Sequence, residues 1–398
     1  MLRTCLVGWL TLRTIVAVQV ASSPIFTNRQ FLLISSATEK MIAYTELENF
    51  RAKFGRTFPL VDTGLVEPRG IAFDRKRSNL YVADYGAQAL YRYKIMLDHN
   101  YVHNGSKMTR LIPESGQLTL LEGVNTSYVH VDSTGNLYYT DFSTNSVNKI
   151  EASTLESLFE GSVQGSSLEH VDEKTLASVA GAQENSKMSS SGSETSDTET
   201  AGDSGEMRIR QIYDGSVNSS ASLPGPLCTS GQMLFWGNTR EGSVYGSLIR
   251  GEAEPHVPAL QGTSSEPAPF PTAVVAYDGD NATGLTITSN MVLWSDAKAG
   301  SVYAIQKADT STASIELATG LGTPYGLEWD GDNTAYVADQ DAGVVWSIAV
   351  GRFVEDVPAT QVVLLNGAAG VALFSDEDAA FSNVYKQSSS SWLSWLPF

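Results

Sequence analysis

Five copies of one strand-and-turn grammar, a sixth divided between the two ends of the chain, and turn residues at the junctions predict an all-β fold. That fold is a six-bladed β-propeller of four-stranded antiparallel blades. Each copy reads as a short apolar strand, a polar turn, an aromatic-rich strand, a second turn and a third alternating strand. The aromatic-rich strands are NLYVAD, NLYYTD, MLFWGN, MVLWSD and TAYVAD, ending at Asp84, Asp141, Asn238, Asp296 and Asp339. QLTLLEG, MRIRQIYDG, PHVPALQG, ASIELATG and TQVVLLNG read as the fourth strands, apolar alternations that close on Gly.

The sixth unit is split. FLLISSATEKMIAYTEL, from Phe31 to Leu47, aligns without a gap on NLYVADYGAQALYRYKI and puts Ser36 in the place of Asp84. Thr57 to Val61 adds an outer strand, but an innermost strand is missing. AAGVALFSD, from Ala368 to Asp376, is an innermost strand with no blade after it. Pairing these ends, one C-terminal strand with three N-terminal ones, closes the ring and removes the exposed sheet edges of an open array.

PRGIAFD followed by NLYVAD is similar to the NHL repeat, and LYYTD and LWSD to the YWTD repeat of low-density lipoprotein receptor relatives. The resemblance spans Phe31 to Asp376 apart from one insertion. It implies a six-bladed propeller and leaves function open among receptor modules, scaffolds and hydrolases. In calcium-dependent six-bladed lactonases, Glu, Asn and Asp ligands surround the channel. Glu328 alone takes a comparable inner-strand place here.

Composition narrows the partners. Twenty-six Lys and Arg against 44 Asp and Glu give a net charge of −18, which excludes nucleic acid and anionic membrane as ligands. Residues 1–23 read as a cleaved secretory signal: Arg3, an apolar run from Leu6 to Ala21 interrupted by Arg13, and small residues at Val20-Ala21-Ser22. No stable membrane insertion is expected after cleavage. The propeller is expected over 24–385, with a tail at 386–398. In a secreted or endomembrane-lumenal protein the sequons at Asn104, Asn125, Asn218 and Asn281 become glycosylation candidates. An insertion from Thr154 to Glu206 interrupts the second blade. Its centre, SKMSSSGSETSDTETAGDSGE, is too poor in apolar residues to offset the entropy of ordering, and is expected to be a solvated loop.

Candidate chemistry sits on the innermost strands, whose middle positions align as Ala72, His130, Leu227, Thr286, Glu328 and Ala372. Flanks are apolar, so the polar His130, Thr286 and Glu328 should hydrogen-bond between blades or face a wet channel. His130 and Glu328 belong to opposite blades, and a hydrated pair across the axis would suit a polar ligand or a metal ion. Arg69, Tyr128 and Tyr325 should rim one channel mouth. The recurrent Asp84, Asp141, Asp296 and Asp339, with Asn238 and Ser36, read as turn caps, although a carboxylate ring also suits calcium. His99 and His103 read as loop residues, and Cys228 as a buried filler equivalent to Phe73 and Val131. HExxH, GxSxG and GxxxxGKS are absent from the sequence.

These features predict a non-catalytic propeller binding an extracellular protein or glycan at its channel mouth or rim, without a cofactor, calcium being the metal its carboxylates would take. The alternative is a calcium-dependent hydrolase using Glu328 and His130. Deletion of Ser186 to Glu206 is expected to leave the melting temperature unchanged in a thermal scan; a collapse would make that segment part of the core.

Overall fold

A computed structural model describes residues 29–103, 105–163, 209–215, 222–240, 242–248, 273–276, 281–307, 313–350 and 357–376. The expected signal and tail, the centre of the insertion at 186–206, and the sequons Asn104 and Asn218 lie outside them. Among the described residues no helix is long and apolar enough to cross a membrane.

The strands form six antiparallel sheets. The chain begins in blade six with β1 (Gln30–Ser36), β2 (Met41–Glu48), the short β3 (Arg51–Ala52) and β4 (Phe58–Val61). Blade one contains β5 (Pro68–Asp74), β6 (Asn79–Asp84), β7 (Ala89–His103), β8 (Ser106–Pro113) and β9 (Leu118–Glu122). Blade two has β10 (Val129–Val131), β11 (Leu137–Asp141), β12 (Ser146–Ile150) and β13 (Ile209–Asp214), with helix α1 (Ala152–Val163) after β12. Blade three is β14 (Pro224–Ser230), β15 (Met233–Asn238), β16 (Val244–Leu248) and β17 (Ala273–Ala276). Blade four is β18 (Ala282–Ile287), β19 (Met291–Asp296), β20 (Ser301–Gln306) and β21 (Ile315–Ala318). Blade five is β22 (Pro324–Trp329), β23 (Thr334–Asp339), β24 (Val344–Ala349) and β25 (Thr360–Leu364).

The last strand, β26 (Ala368–Ser375), returns to blade six and pairs antiparallel with β1, from Gln30 opposite Ser375 to Ser36 opposite Ala368. Each inner strand then touches the next around the ring, β5, β10, β14, β18, β22, β26 and back to β5. The closure is the one the sequence predicts.

Blades pack face to face, so both faces of every second strand are covered. This is why NLYVAD, LYYTD, MVLWSD and TAYVAD are buried along their whole length. Tyr81, Tyr138, Trp236, Trp294 and Tyr336 are the largest fully buried side chains and fill the spaces between blades. The closing seam is built the same way. Phe374 of β26 meets Phe73 of blade one edge-on at 4.9 Å and Phe31 of β1 at 5.9 Å.

Buried turn residues then fix each blade. Asp84 accepts the backbone N–H groups of Val66, Glu67 and Ala87 at 2.7, 2.8 and 3.0 Å. Asp339 accepts those of Gly322, Thr323 and Ala342, and Asp296 those of Asn281, Lys298 and Ala299. Asn238 accepts from Ser222, and Glu39 donates its N–H to Ser36. These side chains tie the loop before an inner strand, or the next turn, to the end of the second strand.

Three expectations are corrected. The fourth strand of blade three is Ala273–Ala276, which pairs with β16; PHVPALQG, at 255–262, lies outside the described residues. His99 and His103 are on β7, not in a loop, because β7 runs on beyond the blade and folds back as β8. Finally, Cys228, not Leu227, is the middle residue of its inner strand. Cys228 faces Phe235 in the register, as Ala72 faces Tyr81 and Glu328 faces Tyr336. Helix α1 occupies the start of the insertion, ahead of its Ser- and Thr-rich centre: Leu155 is buried in the core shared by blades one and two, and Arg77 donates Nε to Glu156 at 2.8 Å.

Phe374→Ala is expected to destabilise the protein by about 3–5 kcal/mol, read from urea unfolding, because it opens a cavity in the closing seam. A loss below about 1 kcal/mol would show that the seam carries little of the fold's stability.

Candidate functional site

Inner strands of all six blades surround one axial cavity. It contains about 100 Å³ of space that the centre of a water molecule can occupy, enough for several waters. Its walls are Ile71, Ala72, Val129, Leu227, Leu285, Leu327, Val371 and their neighbours. The upper end, where the inner strands begin, is narrow because glycines let adjacent backbones approach. A Cβ on Gly70 would lie 2.5 Å from the Ser127 carbonyl oxygen, and one on Gly326 2.6 Å from that of Ala369. Hydroxyls just before the turn residues bind across the same seams. Thr140 donates to the Gly225 carbonyl at 3.2 Å, Ser295 to that of Tyr325 at 2.7 Å, and Ser35 to that of Arg69.

This narrowing brings Tyr128 of blade two and Tyr325 of blade five together across the axis. Their rings stack at 5.5 Å with 7° between planes. Burial and the neighbouring Tyr325 push the Tyr128 hydroxyl well above its ordinary pKa. Arg69 lies beside the pair: its guanidinium is 3.5 Å from the Tyr325 hydroxyl, donates Nε to Glu67 at 2.9 Å and covers the Tyr85 ring. The three residues expected to rim a mouth therefore meet at one, with both tyrosines buried at 7% and 9% exposure. They form a plug. Sequence spacing locates them but cannot say that they touch each other.

His130 and Glu328 both line the cavity below the plug. His130 Nε2 accepts the Thr229 N–H at 3.2 Å and lies 2.9 Å from the Thr229 hydroxyl, so a residue of the next blade engages the ring. Burial lowers its pKa to about 4, only partly opposed by Asp132, and the imidazole is neutral at physiological pH. Glu328 is one-third exposed at its side chain and 4.0 Å from the Arg75 guanidinium. Burial raises its pKa to about 7, against the pull of Arg75. Thr286 is buried on the same row, outside the cavity lining. Cys228, the middle residue missed in the sequence alignment, is buried; burial and then Glu328 push its thiol up, and Lys307 partly offsets them. Counting four residues from Pro68, Pro224 and Pro324 finds Ala72, Cys228 and Glu328, and would have given the right register.

The described sequons are part of the same scaffold. Asn125 and Asn281 occupy equivalent loops before β10 and β18, their carbonyls accepting from Phe142 and Ala297. Their Oδ1 atoms are buried, as are the sequon hydroxyls of Ser127 and Thr283.

As a metal centre the channel fits poorly. Its lining supplies one carboxylate and one imidazole, the latter already engaged, whereas calcium takes six to eight oxygens. Among the described residues there is no group of three or more His, Cys, Asp and Glu arranged for a metal.

Fold and channel together define a six-bladed β-propeller with one plugged mouth. No protein-family description and no curated protein matches the chain. Among solved structures it is similar to a chain of a nidogen/laminin complex, with 13% identity and a TM-score of 0.54, covering 86% of this chain and 98% of that one. A gluconolactonase of Xanthomonas campestris is similar at 12% identity and a TM-score of 0.44, covering 85% and 86%. An inactive virginiamycin B lyase variant of Staphylococcus aureus, solved with quinupristin, gives 9% and 0.44, covering 84% and 80%. The first likeness shows the fold alone; the other two carry no argument.

The raised carboxyl of Glu328 makes a signed prediction. Its pKa of about 7 lies above the ordinary 4.5, so the folded chain holds this proton longer than the unfolded one. Stability should fall as pH rises between those values and then level off. Glu328→Gln, which cannot ionise, is expected to raise the melting temperature by about 2 °C or more at pH 8 and to leave it unchanged at pH 4.5. Equal shifts at both pH values would contradict the assignment.

Proposed function

We propose that this propeller is a non-catalytic binding module, secreted or lumenal, that docks an extracellular protein partner on the lower face, around the open channel mouth. The observation that carries the reading is the distribution of exposed apolar side chains. Antiparallel strands alternate in direction, so every connection from a third to a fourth strand emerges on the lower face. Among the described residues, six of the eight exposed large apolar side chains lie in those connections or at their ends: Phe50, Phe54, Met96, Val102, Ile315 and Val357. Val66 and Leu364 are on the upper side. Insertions in repeat proteins often map to the binding face, and exposed apolar side chains there supply interaction surface. A protein partner also agrees with the nidogen/laminin likeness, which comes from a protein–protein complex. Location outside the cell or in the endomembrane lumen rests on the signal-like residues 1–23.

A specific feature favours a second reading, a hydrolase: Glu328, held near neutrality, suits general acid–base work. Against it, the His130 ring is engaged by Thr229, and among the described residues no hydrogen bond joins it to Glu328.

Cross-linking of the tagged full chain to its secreted surroundings separates the readings. Phe54→Asp and Val102→Asp are expected to abolish the cross-linked species, while Val66→Asp and Leu364→Asp leave it intact. Equal loss in all four, or lactone hydrolysis that disappears in Glu328→Ala, would overturn the binding-module reading.

A further inference from the structure

Glu328 is a carboxylate lacking a close partner. Among the described residues no hydrogen-bond donor reaches it, and its one ion pair is the 4.0 Å contact to Arg75, whose side chain is half exposed. His130, which lines the same cavity, is held by Thr229, and Cys228 is packed in a core with Phe235 and Leu285. Around Glu328 the wall combines apolar side chains such as Ala72, Leu285, Leu327 and Val371 with the backbone of Gly70, Gly284, Gly326 and Gly370, and the tyrosine plug lies above. A carboxylate that no protein donor reaches is left to solvent and to any cation that enters the cavity beside it.

We infer that the channel below the plug is a binding site for a primary alkylammonium, with Glu328 as counter-ion and the Ala72, Leu285, Leu327 and Val371 side chains beside an unbranched stem. On a protein this chemistry is a lysine side chain; as a small molecule it is a free alkylamine. The choice of cation follows from the lining. Calcium needs more oxygens than one carboxylate offers, and a guanidinium is a planar fork that seeks bidentate partners. An ammonium is a compact point charge on a slim apolar stem. Glu328 repels anions. Only the lysine source rests on the docking face proposed above.

The test is calorimetric titration of the full chain at pH 8 with butylammonium chloride and with Nα-acetyl-lysine methylamide. Butan-1-ol, Nα-acetyl-norleucine methylamide and calcium chloride are the controls. Both ammonium probes are expected to bind saturably and the neutral controls not at all. Glu328→Gln, expected to fold at least as well as the parent, should weaken the probes at least about tenfold. Arg75→Ala, which removes the competing cation, should tighten them. Arg75 after β5 and Cys228 on β14 are the charged and titratable groups near Glu328, and His130 on β10 lines the same cavity. His130 stays neutral above pH 5, so affinity should fall at least about tenfold from pH 8 to pH 5.5 as Glu328 takes up its proton. Binding of butylammonium alone would assign the site to free amines and remove the lysine source. Binding of neither probe, binding that survives Glu328→Gln, or preferential Glu328-dependent binding of calcium would overturn the inference. Small probes do not touch the apolar lower face, so this result and the cross-linking result can fail independently.

Discussion

The pairing of β26 with β1 is the constraint on which the molecule depends. A row of stacked sheets has two open edges and no axis; joining the C-terminal strand to the N-terminal ones removes the edges and creates a channel. Side chains from far-apart segments then share one seam. Phe374 lies between Phe31 and Phe73, and Gly370 donates its N–H to the Ser35 hydroxyl at 2.6 Å, while Ser35 itself donates to Arg69. The β7–β8 hairpin reinforces the same place, with Ile95 and Leu111 buried in the core between blades six and one.

From that closure the two ends of the channel acquire different characters. Glycines and inter-blade hydroxyl bonds draw the upper ends of the inner strands inward, until aromatic side chains from opposite blades stack and seal the axis. Lower down, larger residues hold the strands apart and leave a cavity. There the middle row of side chains, which faces the next blade, carries the imidazole that a neighbour satisfies and the carboxyl that nothing but a distant arginine approaches. One polar group was absorbed into the scaffold; the other was left to the cavity. The lower face, where the connections from third to fourth strands emerge, therefore differs from the tyrosine-plugged upper end.

Much of this was legible in the sequence because propeller blades repeat. The second strands announce themselves through LYVAD-like runs, and Ser36 in the place of Asp84 revealed the split blade. His130 and Glu328 were visible as polar interruptions in apolar strands. Their partners were not, since Thr229 and Arg75 reach them through the ring's curvature rather than through any sequence period. Tyr128 and Tyr325 were found as mouth residues, but stacking across an axis depends on how closely the strands converge. The β7–β8 hairpin did carry a signal, the Asn104-Gly105 dipeptide between two alternating runs, which favours a tight hairpin turn. Helix α1 carried a weaker one, Leu155 and Leu158 three residues apart beside the core they join.

Native-state amide hydrogen exchange tests the closure most directly, because it reports whether β26 opens by itself or only with the rest of the protein. If the ring is held by this strand, amides of Leu373 and Phe374 should exchange in the same slowest class as those of Leu32 and Leu33, with one shared dependence on denaturant. Fast exchange of β26 by local fraying, while β1 and the central strands stay protected, would contradict the account.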